Sequence, residues 1–290
     1  MRDCDIPAWW QALGLPGLVD IHVHFMPKPV LDKVWAYFDE AQTHYGFPWP
    51  VQYRGSDDQR LETLRRLGVR RFPSLLYPHK PGMAEWLNRW AREFAAAHED
   101  VAMTATFYPE DGVAQYVEQA LAAGTQIFKV HVQVGGYDPR DELLDPVWGL
   151  IADAGTPVIV HCGTGPLHGE HTGADIFEAV LRRHPMLTAV IAHFGMYQYE
   201  EHLDLAERYD NVHLDTTMVG TAFVERFAPV PRHLMPRYAA LQHKIVLGSD
   251  FPNIPYNYGE QLTGLERFEL GDEWLRAVCW TNGARLLRLP

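Results

Sequence analysis

Apolar and polar positions along the chain fall into two alternating rhythms. Eight short runs rich in β-branched and apolar residues recur from one end to the other: GLVDIHVHF from Gly17, VRRFPSLLY from Val69, VAMTATFY from Val101, TQIFKVHVQV from Thr125, PVIVHCG from Pro157, LTAVIAHFG from Leu187, VHLDTTMV from Val212 and KIVLGSDF from Lys244. Between them lie stretches such as DDQRLETLRRLG, MAEWLNRWAREFAAAH, ADIFEAVLRRHP and YEEHLDLAERY, whose apolar residues return at helical spacing. Short buried strands alternating with amphipathic helices are the pattern of repeated βα units on a parallel sheet. Gly68, Gly124 and Gly155 follow three of the helical stretches and suit the left-handed position that closes a helix. The pattern predicts an α/β fold, a (β/α)8 TIM barrel in a single domain over residues 1–290, because closure covers every parallel strand and leaves no edge. An open doubly wound sheet would share the same rhythm.

The stretch 27–56 breaks it. This insertion after the first strand carries Trp35, Tyr37, Phe38, Tyr45, Phe47, Trp49 and Tyr53. Long connections in compact domains are often lids or binding loops, and in a barrel this one would lie on the C-terminal face, where active sites are built. The aromatic residues could equally pack the insertion onto the barrel.

Chemistry concentrates in the histidines, of which there are 15. His22 and His24 are two apart on the first strand, so both imidazoles project to one face while Ile21 and Val23 point to the other. Asp250 ends the eighth run, His161 the fifth and His193 the sixth. In a barrel the first and eighth strands are neighbours, and all strand ends converge on one face. Imidazole nitrogen with carboxylate oxygen suits a borderline or first-row divalent metal, which makes His22, His24, His161 and Asp250 the expected ligands. Any one of these histidines taken alone could instead be a hydrogen-bonded core residue.

Composition narrows the field. The 290 residues are 47% hydrophobic and 21% charged, as in a globular chain with a sizeable core. Lys and Arg number 25 against 37 Asp and Glu, a net charge of −12 that argues against nucleic acid as a partner. Three scattered cysteines, Cys4, Cys162 and Cys279, form neither a disulfide framework nor a Cys-rich zinc site and fit a reducing, cytoplasmic compartment. The N-terminal stretch lacks a signal-peptide core, and no run approaches the roughly 18 apolar residues of a membrane span. The expected partner is a small molecule.

The motifs DIHVHF, VHCG, IAHFG, LGSDFP and the closing WTNGARLL together resemble the amidohydrolase superfamily. More narrowly, they resemble its amidohydrolase-2 branch of metal-dependent hydrolases and aminocarboxymuconate semialdehyde decarboxylase-like enzymes, over Asp20 to Leu287. The resemblance implies His22 and His24 as ligands from the first strand, His161 from the fifth and Asp250 from the eighth. It implies His193 as the acid, base or water-orienting group and Asp250 as a holder of the water's proton. It favours one zinc ion, with manganese or another divalent ion as alternatives. Binuclear relatives carboxylate a lysine on the fourth strand, the place of Lys129, although this branch usually works with one metal.

Lys129 and His131 share a face at the end of the fourth strand and are candidate substrate contacts, as is Arg54 beyond the insertion. Asp215 ends the seventh strand and could line the pocket or serve as a turn acid. Cys162 points away from His161 on an ideal strand and reads as inert. His168 and His171 stand on a Gly-rich loop that is either a substrate clamp or a mobile surface loop. The function expected is hydrolysis of a small amide, lactone or other ester through a metal-bound hydroxide. Non-oxidative decarboxylation of a small unsaturated or aromatic acid is the alternative, and a non-catalytic ligand-binding barrel is the alternative of another class. The substrate is expected to be planar and anionic or carbonyl-bearing, and a homodimer is possible on this reading.

Overall fold

A computed structural model describes residues 1–289. The chain divides into two compact units, Met1–Phe72 together with the chain from Asp215 onward, and Pro73–Leu214. The strands are short and fall inside the eight expected runs: β1 (Leu18–Val19), β2 (Val69–Pro73), β3 (Val101–Ala102), β4 (Thr104–Ala105), β5 (Ile127–His131), β6 (Val158–His161), β7 (Ala189–Ile191), β8 (Val212–Asp215) and β9 (Ile245–Val246).

In the second unit β4 pairs with β5, β5 with β6, β6 with β7 and β7 with β8, all parallel. The main helices of the connections are, in turn, Val113–Ala122, Asp145–Ala154, Ala174–Arg183 and Tyr199–Arg208. Those helices form because their apolar residues line one face: Ala174–Arg183 buries Ala174, Phe177, Val180 and Leu181 and leaves Arg182 and Arg183 in its last turn. Each such Phe or Leu contributes about 1.5–3 kcal/mol by leaving water. The third run holds two strands rather than one. Met103 interrupts it, because its peptide N–H turns to Gln126 Oε1 at 3.1 Å while its carbonyl takes the N–H groups of Gln126 and Ile127.

In the first unit β1 pairs with β2 in parallel, and the helix Asp57–Leu67 joins them. Beyond Val19 the first run continues without regular strand geometry yet stays in register with the eighth: the N–H groups of Ile21 and His24 donate to Leu247 and Phe251 carbonyls, Asp250 N–H donates to the His22 carbonyl, and Val23 bridges Phe251. Thr216 N–H donates to Val246 O on the other side. The end of β8, the eighth run, the first run and β2 therefore lie side by side. Gly68 and Gly155 close their helices at φ 88° and 58°, and Gly124 takes φ 92° one residue beyond Ala123, as expected.

The insertion is more ordered than the polar and apolar pattern indicates. It folds into helices Lys28–Asp39, which starts with Pro29 in its first turn, and Ala41–Tyr45, which stops at Gly46. Its rings pack on one another, Phe38 against Trp49 at 5.2 Å and Tyr37 against His44 at 4.1 Å, and onto Phe227 and Phe223 through Phe47 and Trp49 at 4.7 and 5.0 Å. Among the described residues no helix is long and apolar enough to cross a membrane.

Candidate metal centre

In the first unit the rings of His22 and His24 lie 5.2 Å apart, and Ile21 and Val23 are fully buried. Asp250 reaches them from the eighth run, where its backbone takes φ 73°, a left-handed conformation that a short polar side chain tolerates better than most. The turn is held by Asp250 N–H to His22 O and by Asn253 N–H to Asp250 O, both 2.8 Å. Asp250 Oδ1 then lies 2.9 Å from His24 Nε2 and 3.4 Å from His22 Nε2. One ligand atom from each of these three side chains lies within 4.8 Å of the others. His22 and His24 are 1% and 3% exposed, so these donors converge away from bulk water.

Two further acids hold this group. Asp215, fully buried at the end of β8, places Oδ2 2.8 Å from His22 Nδ1. Asp20, also fully buried, accepts the His22 peptide N–H at 3.0 Å and the Tyr258 hydroxyl at 2.8 Å. Burial pushes the Asp20 carboxyl up to about 7 despite hydrogen bonds that favour its charged form. The sequence singled out Asp215 as a pocket residue or turn acid and passed over Asp20. The clue to Asp20 was an acid two residues before His22 inside an otherwise apolar run.

The loop after Asp250 anchors the insertion: Trp35 Nε1 donates to Asn253 Oδ1 at 3.0 Å and Trp49 Nε1 to Asn253 O at 2.6 Å. Arg54 is paired with Asp39 and lies over the Trp35 ring. Sequence reasoning missed Arg60, which is 2% exposed, ion-paired with Asp57 and set between the rings of Phe25 and Trp35 at 5.0 and 5.4 Å. It sits on a charged helix face where arginine is ordinarily solvated, so nothing local announced it.

In the second unit β5 and β6 are registered so that His131 stands opposite His161, and their rings stack at 3.9 Å. His193 follows β7, its ring 4.8 Å from that of His161. His161 Nε2 lies 3.1 Å from Gly165 O, to which it donates. His131 Nδ1 accepts Val134 N–H at 3.3 Å. Lys129 is fully buried two residues earlier on the same strand. On the loop that follows β6, His168 is exposed, and His171 Nδ1 lies 3.9 Å from Asp138 Oδ2.

Cys162 lies beside His202, its Sγ 3.8 Å from Nε2, while His202 Nδ1 donates to Gln198 O. Burial pushes the Cys162 thiol up to about 12, raises Cys279 as well and lowers His202, so neither buried sulfur is a ready thiolate. Titration of the native protein with an aromatic disulfide at mildly alkaline pH is therefore expected to consume one thiol, the exposed Cys4, and to reach all three only in denaturant. Rapid native reaction of two or three thiols would contradict the inert reading of Cys162 and Cys279.

The chain is similar to several solved structures. An uncharacterized TIM-barrel protein from Bordetella bronchiseptica superposes with TM-score 0.74 at 16% identity, over 94% of this chain and 98% of that one. A 5-carboxyvanillate decarboxylase from Novosphingobium aromaticivorans, solved with bound manganese and 3-methoxy-4-hydroxy-5-nitrobenzoic acid, gives 0.63 at 14% identity over 95% and 99%. A probable 2-pyrone-4,6-dicarboxylic acid hydrolase from Acinetobacter baumannii with citric acid bound gives 0.63 at 12% identity over 94% and 100%. No curated protein matches the chain. The likenesses show the expected parallel (β/α)8 TIM-barrel fold. The amidohydrolase-2 family model, described as Amidohydrolase, matches residues 19–289, and the chain belongs to that family.

Proposed function

We propose that the protein is a metal-dependent hydrolase of a small organic amide, lactone or other ester. The observation that carries the proposal is the buried convergence of His22 Nε2, His24 Nε2 and Asp250 Oδ1. Two imidazole nitrogens and one carboxylate oxygen are the donor set of a divalent ion. A divalent ion held there would supply Lewis acidity and lower the pKa of water.

The chain's own residues do the rest. His22 and His24 present lone pairs, and Asp250, which faces both rings through Oδ1, holds the proton of the attacking water on Oδ2. The family resemblance implies His161 as a further ligand and His193 as the acid, base or water-orienting group. Lys129 and His131 are the proposed substrate contacts, and Arg54 would have to exchange Asp39 for a substrate carboxylate. Zinc is the proposed ion, with manganese as the alternative that the Novosphingobium structure supports. That structure, which holds an aromatic acid, also favours a second reading, non-oxidative decarboxylation of an aromatic or unsaturated acid.

Elemental analysis of purified protein is expected to find about one divalent ion per chain, and the His22→Ala/His24→Ala double variant is expected to lose most of it. Full metal content in that variant would overturn the site. A panel of lactones, amides and aromatic carboxylates offered to the metal-loaded protein separates hydrolysis from decarboxylation, since only the latter releases carbon dioxide.

A further inference from the structure

We infer that Asp215 is a positioning residue that fixes the tautomer and orientation of the His22 imidazole for metal binding. The inference rests on the metal reading above and deepens it. Asp215 Oδ2 lies 2.8 Å from His22 Nδ1, and both side chains are essentially excluded from solvent. An ionised carboxylate only accepts hydrogen bonds, so the contact places a proton on Nδ1 and leaves Nε2, the nitrogen that faces Asp250 Oδ1 at 3.4 Å, as the one whose lone pair an ion would take. The other carboxylate oxygen, Oδ1, accepts Thr217 N–H at 3.1 Å, which stops the side chain from rotating away. On the far side of the residue, Asp20 accepts the His22 peptide N–H. His22 is thus held at its backbone by one buried acid and at its ring by another.

The surrounding backbone is shaped to allow this approach. Gly248 lies between the two residues: a Cβ there would stand 2.8 Å from His22 Cβ and 3.4 Å from Asp215 Cγ. Its N–H donates to Thr216 Oγ1, one residue from Asp215, so the eighth run is fixed against the end of β8 without a side chain intervening.

Asparagine at 215 makes a sharp test. Thr217 N–H would keep the amide oxygen in the Oδ1 position, and the amide NH2 would then face His22 Nδ1. A donor there forces the lone pair onto Nδ1 and the proton onto Nε2, the wrong tautomer for a ligand, as occurs when a histidine's orienting aspartate becomes asparagine in a catalytic triad. Loss of such an orienting partner typically costs about 10–100-fold in metal affinity.

The experiment measures Zn2+ and Mn2+ affinity by chelator competition for the full chain, Asp215→Asn, His22→Ala and the double variant, together with imidazole 15N shifts of the metal-free proteins. The expected result is a protonated His22 Nδ1 in wild type, whether Nε2 is bare or donates to Asp250, an unprotonated Nδ1 in Asp215→Asn, and affinity weakened about 10–100-fold by Asp215→Asn. Asp215→Asn should have no further effect once His22 is alanine. An Nε2–H tautomer in metal-free wild type overturns the inference, as does unchanged affinity in Asp215→Asn when wild type binds. If wild type binds neither ion, the metal reading fails, while the wild-type tautomer still decides how Asp215 orients His22. If Asp215→Asn does not fold, the wild-type tautomer decides as well.

Discussion

His193→Ala is expected to fold, to retain metal at the wild-type level and to lose about 10²–10⁴-fold in turnover, the usual contribution of a general acid or base. The expectation combines the family resemblance with a local observation. His193 and Phe194 follow β7 with φ of 56° and 54°, left-handed values uncommon outside glycine that cost of order 1–3 kcal/mol each. The turn persists because its neighbours determine it: Met196 N–H donates to His193 O at 3.1 Å, Gln198 N–H to Gly195 O at 2.9 Å, and Phe194 is fully buried. The chain thus keeps an unfavourable backbone just beyond β7, where the His193 ring is presented. Alanine keeps the Cβ but takes this left-handed backbone less readily than histidine, so the variant removes the ring at some cost to the turn, and Tm separates the two effects. The comparison requires a substrate identified from the panel and is read as kcat, with metal content and Tm measured alongside. Wild-type kcat in His193→Ala would return His193 to the packed residues, and parallel loss of Tm would mark its role as structural.

What the sequence disclosed and what it hid follow from the range of the interactions involved. The βα rhythm was legible because burying a strand or a helix face requires only local periodicity, and all nine strands fall within the eight apolar runs. The neighbouring of His22, His24 and Asp250 was legible through fold logic: a barrel places its first and eighth strands side by side, and the Val23–Phe251 bridge does so here. The split of the third run was not, because it depends on the Gln126 side chain reaching Met103 N–H from the following strand. The contact between His22 and Asp215 spans 193 positions and has no local signature. Arg60 was hidden for the opposite reason, since its local signature is that of a solvated helix face and only Phe25 and Trp35 reverse it. In the insertion the aromatic residues were visible but their partners were not, and the rings stack largely on one another and on Phe223 and Phe227.

Gly248→Ala is expected to damage the metal centre without removing a ligand. The added Cβ would fall 2.1 Å from Thr217 Oγ1 and 2.8 Å from His22 Cβ. The threonine hydroxyl can rotate, but His22 Cβ cannot, being fixed by a strand whose peptide groups at Ile21, His22 and His24 are all hydrogen-bonded. The first and eighth runs must therefore separate by several tenths of an ångström at the point where Nε2 of His22 meets Asp250. Overpacking of this kind typically costs 1–3 kcal/mol, about a few degrees in Tm for a chain of this size. The larger effect falls on the centre, because ligand geometry tolerates only about 0.5 Å of displacement. Zn2+ affinity is expected to fall by at least 10-fold, an order set by the effect of disturbing a ligand's supporting contacts. Gly149→Ala is the control. It lies inside the helix Asp145–Ala154, and its Cβ would meet nothing closer than His184 Cε1 at 3.7 Å, an ordinary contact. Helix propensity alone predicts a gain of up to about 1 kcal/mol there, with metal affinity unchanged. Equal metal affinity in the two variants would show that the spacing between the first and eighth runs does not govern the centre, and that the closeness of Gly248 to His22 is packing alone.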